Sequence, residues 1–213
     1  MKKYFIMMAD LDSTFEEYDR SDKDRYVAAG QDQFGTFLEF VRAFEKKYNV
    51  QVTIHFVSGT SKQDFCDRVD YFKNNYPGIY NRLGFGVVET GKVVNKNHSQ
   101  IDFCRTDGTP YSKADAVCKV LSDYMPFEIA GACFMGDSSI DVAGFRMLKE
   151  FNRFPLGTHT ISPRSTRDYF IMNMDSDFYS NKPRILGCVE GLTKMAQAID
   201  EKTHAIEADE RSL

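Results

Sequence analysis

The sequence predicts an α/β fold: a doubly wound, mostly parallel sheet with helices on both faces. Three observations carry that expectation. Uncharged runs such as YFIMMA (4–9) and VTIHFV (52–57) have the length and composition of strands buried on both faces. Between such runs, apolar residues recur at helical spacing, as in Phe34, Phe37, Leu38, Val41 and Phe44. The two kinds of segment alternate along the chain, which is the pattern of parallel βαβ units.

In chain order, the first strand covers 4–9 and ends at two aspartates spaced i, i+2, Asp10 and Asp12. Residues 15–31 are polar and predict a short flap. A helix over 34–44 leads into a second strand, 50–57. Ser61 and Asp64 then have capping-box spacing before a helix bearing Phe65, Val69 and Phe72. GFGVVET (84–90) and KVVNKN (92–97), joined across Gly91, predict a hairpin within a small insertion at about 76–111. SKADAVCKVLSDY (112–124) predicts a helix, EIAGACFMG (128–136) a strand, and SSIDVAGFRMLKEF (138–151) a helix with Ile140, Gly144, Met147, Leu148 and Phe151 on one face. PLGTHTISPRSTRDY (155–169) reads as a loop and DYFIMNM (168–174) as a late strand. Ile185, Val189, Leu192, Ala196 and Ile199 mark a closing helix. Residues 201–213 are charged and are expected to fray.

With 213 residues, 42% of them hydrophobic, the chain suits one core over 1–200 rather than two domains. A net charge of −4 provides no basic field, so neither nucleic acid nor an anionic membrane is expected as a partner. No apolar run approaches a bilayer span, and the apolar start is too short for a signal peptide, which predicts a cytoplasmic protein. Cys66, Cys104, Cys118, Cys133 and Cys188 are scattered, without C-x-x-C spacing, and are expected as reduced thiols rather than zinc ligands.

Ligands of such sheets bind outside the carboxyl ends of the strands. Four polar stretches fall there: DLDST (10–14), SGT (58–60), the start of the 112–124 helix, and GDSSID (136–141). Each alone has a structural explanation, since Ser13 with Glu16 and Ser138 with Asp141 have capping-box spacing. Together they suit phosphoryl transfer through an aspartate. Asp10 is the candidate nucleophile. Asp12 is the candidate acid and base, protonating the leaving oxygen and then taking a proton from water. A hard cation such as Mg2+, held by Asp10, Asp12 through its carbonyl, Asp137 and Asp141, would offset the negative charge. Ser58, Gly59 and Thr60 would contact the transferring oxygens, beside Thr14. Lys113 is a cation in the first turn of a helix, against the macrodipole, and is the candidate clamp on phosphate and nucleophile.

These residues resemble the haloacid-dehalogenase-like phosphohydrolase superfamily. DLDST resembles its D-x-D-x-T first motif, VSGT its apolar-Ser/Thr second motif, Lys113 its third and GDSSID its G-D-x-x-x-D fourth, in that order between Asp10 and Asp141. VVETGKVV and SKADAVCKVL look most like the sugar-phosphate phosphatase branches. The resemblance implies a Rossmann-like core, magnesium dependence and an aspartyl-phosphate intermediate, and Asp12 points to a phosphatase rather than a dehalogenase. Ile140 departs from the pattern, standing where many relatives carry Asn. A large cap is also missing, so substrate specificity falls to the flap, to Tyr80 and Arg82, or to Arg164 and Arg167. With so bare a core, a small phosphorylated substrate and a homo-oligomer that roofs the site are expected. A phosphomutase or phosphotransferase would use the same aspartates. A receiver-like phospho-acceptor would use the acids, hydroxyl and lysine without turnover, and a metal-dependent glycosyltransferase would need DLD alone.

Overall fold

A computed structural model describes residues 2–11, 14, 31–58, 62–83, 92–97, 100–104, 112–125, 127–165 and 168–211. Its five-stranded sheet has the order Gln51–Phe56, Lys3–Ala9, Glu128–Met135, Thr158–Ser162, Phe178–Tyr179, with every neighbouring pair parallel. The strands are β1 (Lys3–Ala9), β2 (Gln51–Phe56), β5 (Glu128–Met135), β6 (Thr158–Ser162) and β7 (Phe178–Tyr179). A separate antiparallel pair is formed by β3 (Lys92–Asn97) and β4 (Gln100–Cys104). The helices are α1 (Gln31–Tyr48), α2 (Lys62–Asn75), α3 (Pro77–Tyr80), α4 (Lys113–Tyr124), α5 (Val142–Lys149), α6 (Tyr169–Asp175) and α7 (Arg184–Arg211).

From Phe5 to Ala9 and from Ile129 to Met135, β1 and β5 are apolar and buried because the sheet is covered on both faces. Phe5, Met7 and Ala9 of β1 join Val52, Ile54 and Phe56 of β2 on one face, packed with Phe37 and Val41 of α1 and with Leu192 and Met195 of α7. Ile6 and Met8 face the other way, into a core with Val117 and Leu121 of α4 and Phe145 and Leu148 of α5. Burying each of these large side chains stabilises the fold by about 1.5–3 kcal/mol. Gly144 lets α5 lie directly on β5, since a Cβ there would stand 2.1 Å from the ring of Phe134.

The expected doubly wound sheet is present, with differences in four places. The stretch read as a loop over 155–169 contains β6, a short strand whose Thr160 donates both its N–H and its hydroxyl to the Asp177 carboxylate (2.8 Å each). The late strand expected at 168–174 is helix α6: of its apolar residues only Met172 is buried, while Phe170 and Met174 are 77% and 79% exposed. KVVNKN forms its ladder with Gln100–Cys104, and 84–91, its expected partner and turn, lies outside the described residues. The closing helix runs on through Arg211 rather than fraying from 201. Leu83 makes an isolated parallel bridge to Ile54, next to β2. The flap at 15–30 and Ser61 of the expected capping box are also outside the described residues. Among the described residues, no helix is long and apolar enough to cross a membrane.

Candidate active site

Three strand ends converge at one edge of the sheet. The Asp10 N–H donates to Met135 O (2.9 Å), and the Val57 N–H donates to Ala9 O (2.8 Å), so the end of β1 lies between those of β5 and β2. Asp10, Ser58 and the Gly136–Asp137 turn therefore share that edge, with Asp10 and Ser58 buried.

Lys113 arrives from the start of α4. Its helix end is fixed by a capping box: the Ser112 hydroxyl accepts the Asp115 N–H (3.2 Å), and the Asp115 carboxylate accepts the Ser112 N–H (2.9 Å). From there the buried Lys113 Nζ reaches Asp10 Oδ1 at 2.8 Å and Asp141 Oδ1 at 2.5 Å. The macrodipole opposes a cation at this position by only about 0.3–1 kcal/mol. Breaking a buried ion pair costs about 3–5 kcal/mol, so the carboxylates decide the placement. Burial pushes the Lys113 pKa down, but attraction to Asp10 and Asp141 outweighs it and holds the ammonium above its ordinary value.

Asp141 is fully buried and uses both of its oxygens. Oδ1 takes Lys113, and Oδ2 accepts the Ser138 N–H (3.0 Å) and the Ser138 hydroxyl (2.9 Å). This bond pattern explains the capping-box spacing of Ser138 and Asp141, although α5 itself begins only at Val142. Gly136 makes room for the arrangement, because a Cβ there would lie 2.4 Å from Asp141 Cγ. Asp137 accepts a hydrogen bond from the Thr14 hydroxyl (3.0 Å), and the Thr14 carbonyl in turn accepts from the Cys188 thiol of α7 (3.4 Å).

Asp10, Asp137 and Asp141 each offer a carboxylate oxygen, and these oxygens lie within 4.8 Å of one another. Three carboxylates against one ammonium leave two negative charges unbalanced among these four side chains. Asp137 registers the excess: burial first, then Asp141, push its carboxyl up to about 6, against the Thr14 hydrogen bond and Lys113. An oxygen-liganded divalent cation fits this donor set and its charge. Asp141 has Lys113 on one oxygen and Ser138 on the other, and Asp10 and Asp137 complete the donor set.

The structure thus brings together Asp10, Thr14, Ser58, Lys113, Asp137 and Asp141. Asp12, Gly59, Thr60 and Arg167 lie outside the described residues. Arg82 is engaged away from this edge, on Glu45 (2.8 Å) and Gly78 O (2.8 Å), and Lys73 Nζ stands 5.9 Å from the ring centroid of Tyr80. Arg164 is exposed, with its backbone N–H on Lys182 O (2.8 Å). One neighbour of the site escaped the sequence reading: the Asp168 carboxylate accepts the Ser139 N–H at 2.8 Å. The chain matches no protein-family model and no curated protein sequence.

Proposed function

We propose that the chain is a magnesium-dependent phosphatase that hydrolyses a phosphate monoester through an aspartyl-phosphate intermediate. The observation that carries this reading is the buried Lys113 ammonium between Asp10 and Asp141, with Asp137 beside them at the carboxyl edge of a parallel sheet. A lysine held there neutralises a carboxylate and leaves it close to where a phosphoryl group must come.

Asp10 Oδ attacks phosphorus, forming an acyl phosphate as the bond to the ester oxygen breaks. Asp12 gives its proton to the departing alkoxide and then takes one from the water that attacks the same phosphorus, which frees Asp10 and releases inorganic phosphate. Ser58, Gly59 and Thr60 donate to the phosphoryl oxygens, and Lys113 offsets their charge. Asp10, Asp137 and the Asp12 carbonyl would hold magnesium, which when bound supplies the positive charge that lets a phosphate dianion approach two carboxylates. The resemblance to sugar-phosphate phosphatases favours a small phosphorylated metabolite such as a sugar phosphate, with self-association of the chain covering the site. Phosphate release from p-nitrophenyl phosphate and a panel of sugar phosphates, with magnesium and with chelator, tests the activity; light scattering tests the self-association. No magnesium-stimulated release from any ester would refute the phosphatase.

A further inference from the structure

We propose that Asp168 is a positioning residue for this reaction: it holds the Asp137–Asp141 turn so that Asp137 meets a cation beside Asp10. The inference rests on the phosphatase reading above.

Asp168 precedes α6 at the N-cap position, where an aspartate ordinarily accepts an N–H from its own helix and stabilises it by about 1 kcal/mol. Here the side chain makes no such bond. Its Oδ2 instead crosses to the Ser139 N–H at 2.8 Å, 29 residues away in sequence. The arm is itself fixed, because the Asp168 N–H donates to the hydroxyl of buried Ser165 (2.9 Å).

The geometry of the turn explains what this bond does. Inside the turn, Ser138 and Asp141 bind each other through the Ser138 N–H and hydroxyl and through the Asp141 N–H to Ser138 O (2.9 Å). Those bonds make the turn a unit; its placement beside β1 depends on contacts from outside it. On the side facing the site, Lys113 ties Asp141 to Asp10 and the Thr14 hydroxyl holds Asp137; two contacts to β6 and the loop leaving it hold the opposite side. The Gly136 N–H donates to Ile161 O (3.1 Å) where the turn begins, and Asp168 takes the Ser139 N–H at its middle. Asp137 lies between the two points. A carboxylate accepting an N–H is a charge-assisted bond and the stronger kind of anchor. Because Ser139 is exposed and Asp168 half-buried, losing the bond costs the fold little. The consequence falls on the direction of Asp137, as for other groups that orient a metal-binding carboxylate.

The test uses the full chain carrying Asp168→Ala, Asp168→Ser or Asp168→Asn. Magnesium binding is read by calorimetry, and the magnesium dependence of p-nitrophenyl phosphate hydrolysis is read alongside thermal unfolding. Asp168→Ala is expected to weaken magnesium binding about tenfold and to raise the magnesium concentration at half-maximal rate by the same factor. Its kcat at saturating magnesium should stay within about threefold of wild type. Asp168→Ser, able to cap α6 but too short to reach Ser139, carries the same expectation if the alanine chain does not fold. Asp168→Asn keeps an acceptor oxygen and should retain wild-type magnesium dependence within about threefold. Wild-type magnesium dependence in a folded alanine or serine chain overturns the inference, and so does an asparagine chain as impaired as the alanine one. Both results presuppose an active wild type, so they leave the phosphatase reading standing. A wild-type chain without magnesium-stimulated turnover brings down that reading and this inference with it.

Discussion

The Lys113 ammonium stands 2.8 Å from the Asp10 carboxylate, opposite charges meeting where β1 ends and α4 begins. Its second contact, to Asp141, means that one cation serves two buried anions. Lys113→Met leaves both uncompensated. It is expected to destabilise the chain by about 3–5 kcal/mol and to abolish turnover. Urea unfolding and phosphate release check this; a variant as stable and as active as wild type would contradict the placement.

Gly136 is a steric requirement of the site. A methyl group there meets Asp141 at 2.4 Å, and Asp141 is confined by Lys113 and Ser138. Gly136→Ala must therefore displace Asp141 and loosen its hold on Lys113, lowering kcat by at least about tenfold and stability by about 1–3 kcal/mol. Kinetics and thermal unfolding of the variant check it, and unchanged kcat would count against the role given to Asp141.

Asp137 and His55 pull the acid response of the metal-free chain in opposite directions. Burial, then Asp141, raise the Asp137 carboxyl from 3.8 to about 6, so the native state keeps a proton that the unfolded chain releases. That contribution is present below the ordinary value and lost as pH rises through about 6. His55, packed on Tyr124 (3.3 Å), is held down from 6.5 to about 4 by burial, against a smaller effect of Asp123. Its contribution is present above 6.5 and lost as pH falls through about 4. Each amounts to about 3 kcal/mol at most, so the two largely cancel. Asp137→Asn removes one arm. Its stability should fall more steeply than that of wild type between about pH 6.5 and 4.5, as read from urea midpoints. Superimposable profiles would contradict the raised Asp137.

The first strand was legible because burial on both faces leaves no polar position between Phe5 and Ala9: Ile6 and Met7 of β1 point to opposite cores, and both are fully buried. The late strand was misread for a related reason. Tyr169, Phe170 and Ile171 look like a buried run, yet all three are exposed on α6, and composition alone carries no information about which face a helix shows. β6 was hidden by its polar residues, since Thr160 and Ser162 are buried but satisfied by hydrogen bonds. At the site, Asp10, Lys113, Asp137 and Asp141 were legible because each lies just beyond a strand or at a helix start. Asp168 was not, because its partner is a backbone N–H, and any residue but proline offers one.

The aspartyl phosphate on Asp10 can be trapped directly. Wild-type chain and Asp10→Asn are mixed with radiolabelled p-nitrophenyl phosphate and magnesium, quenched in acid within milliseconds, and assayed for protein-bound label and released phosphate. A hydroxylamine-sensitive label is expected on the peptide that contains Asp10, with multiple turnovers by wild type and at least about a thousandfold loss of both in a folded Asp10→Asn chain. Turnover by folded Asp10→Asn at the wild-type rate, or label carried on another residue, would contradict the role of Asp10 as nucleophile.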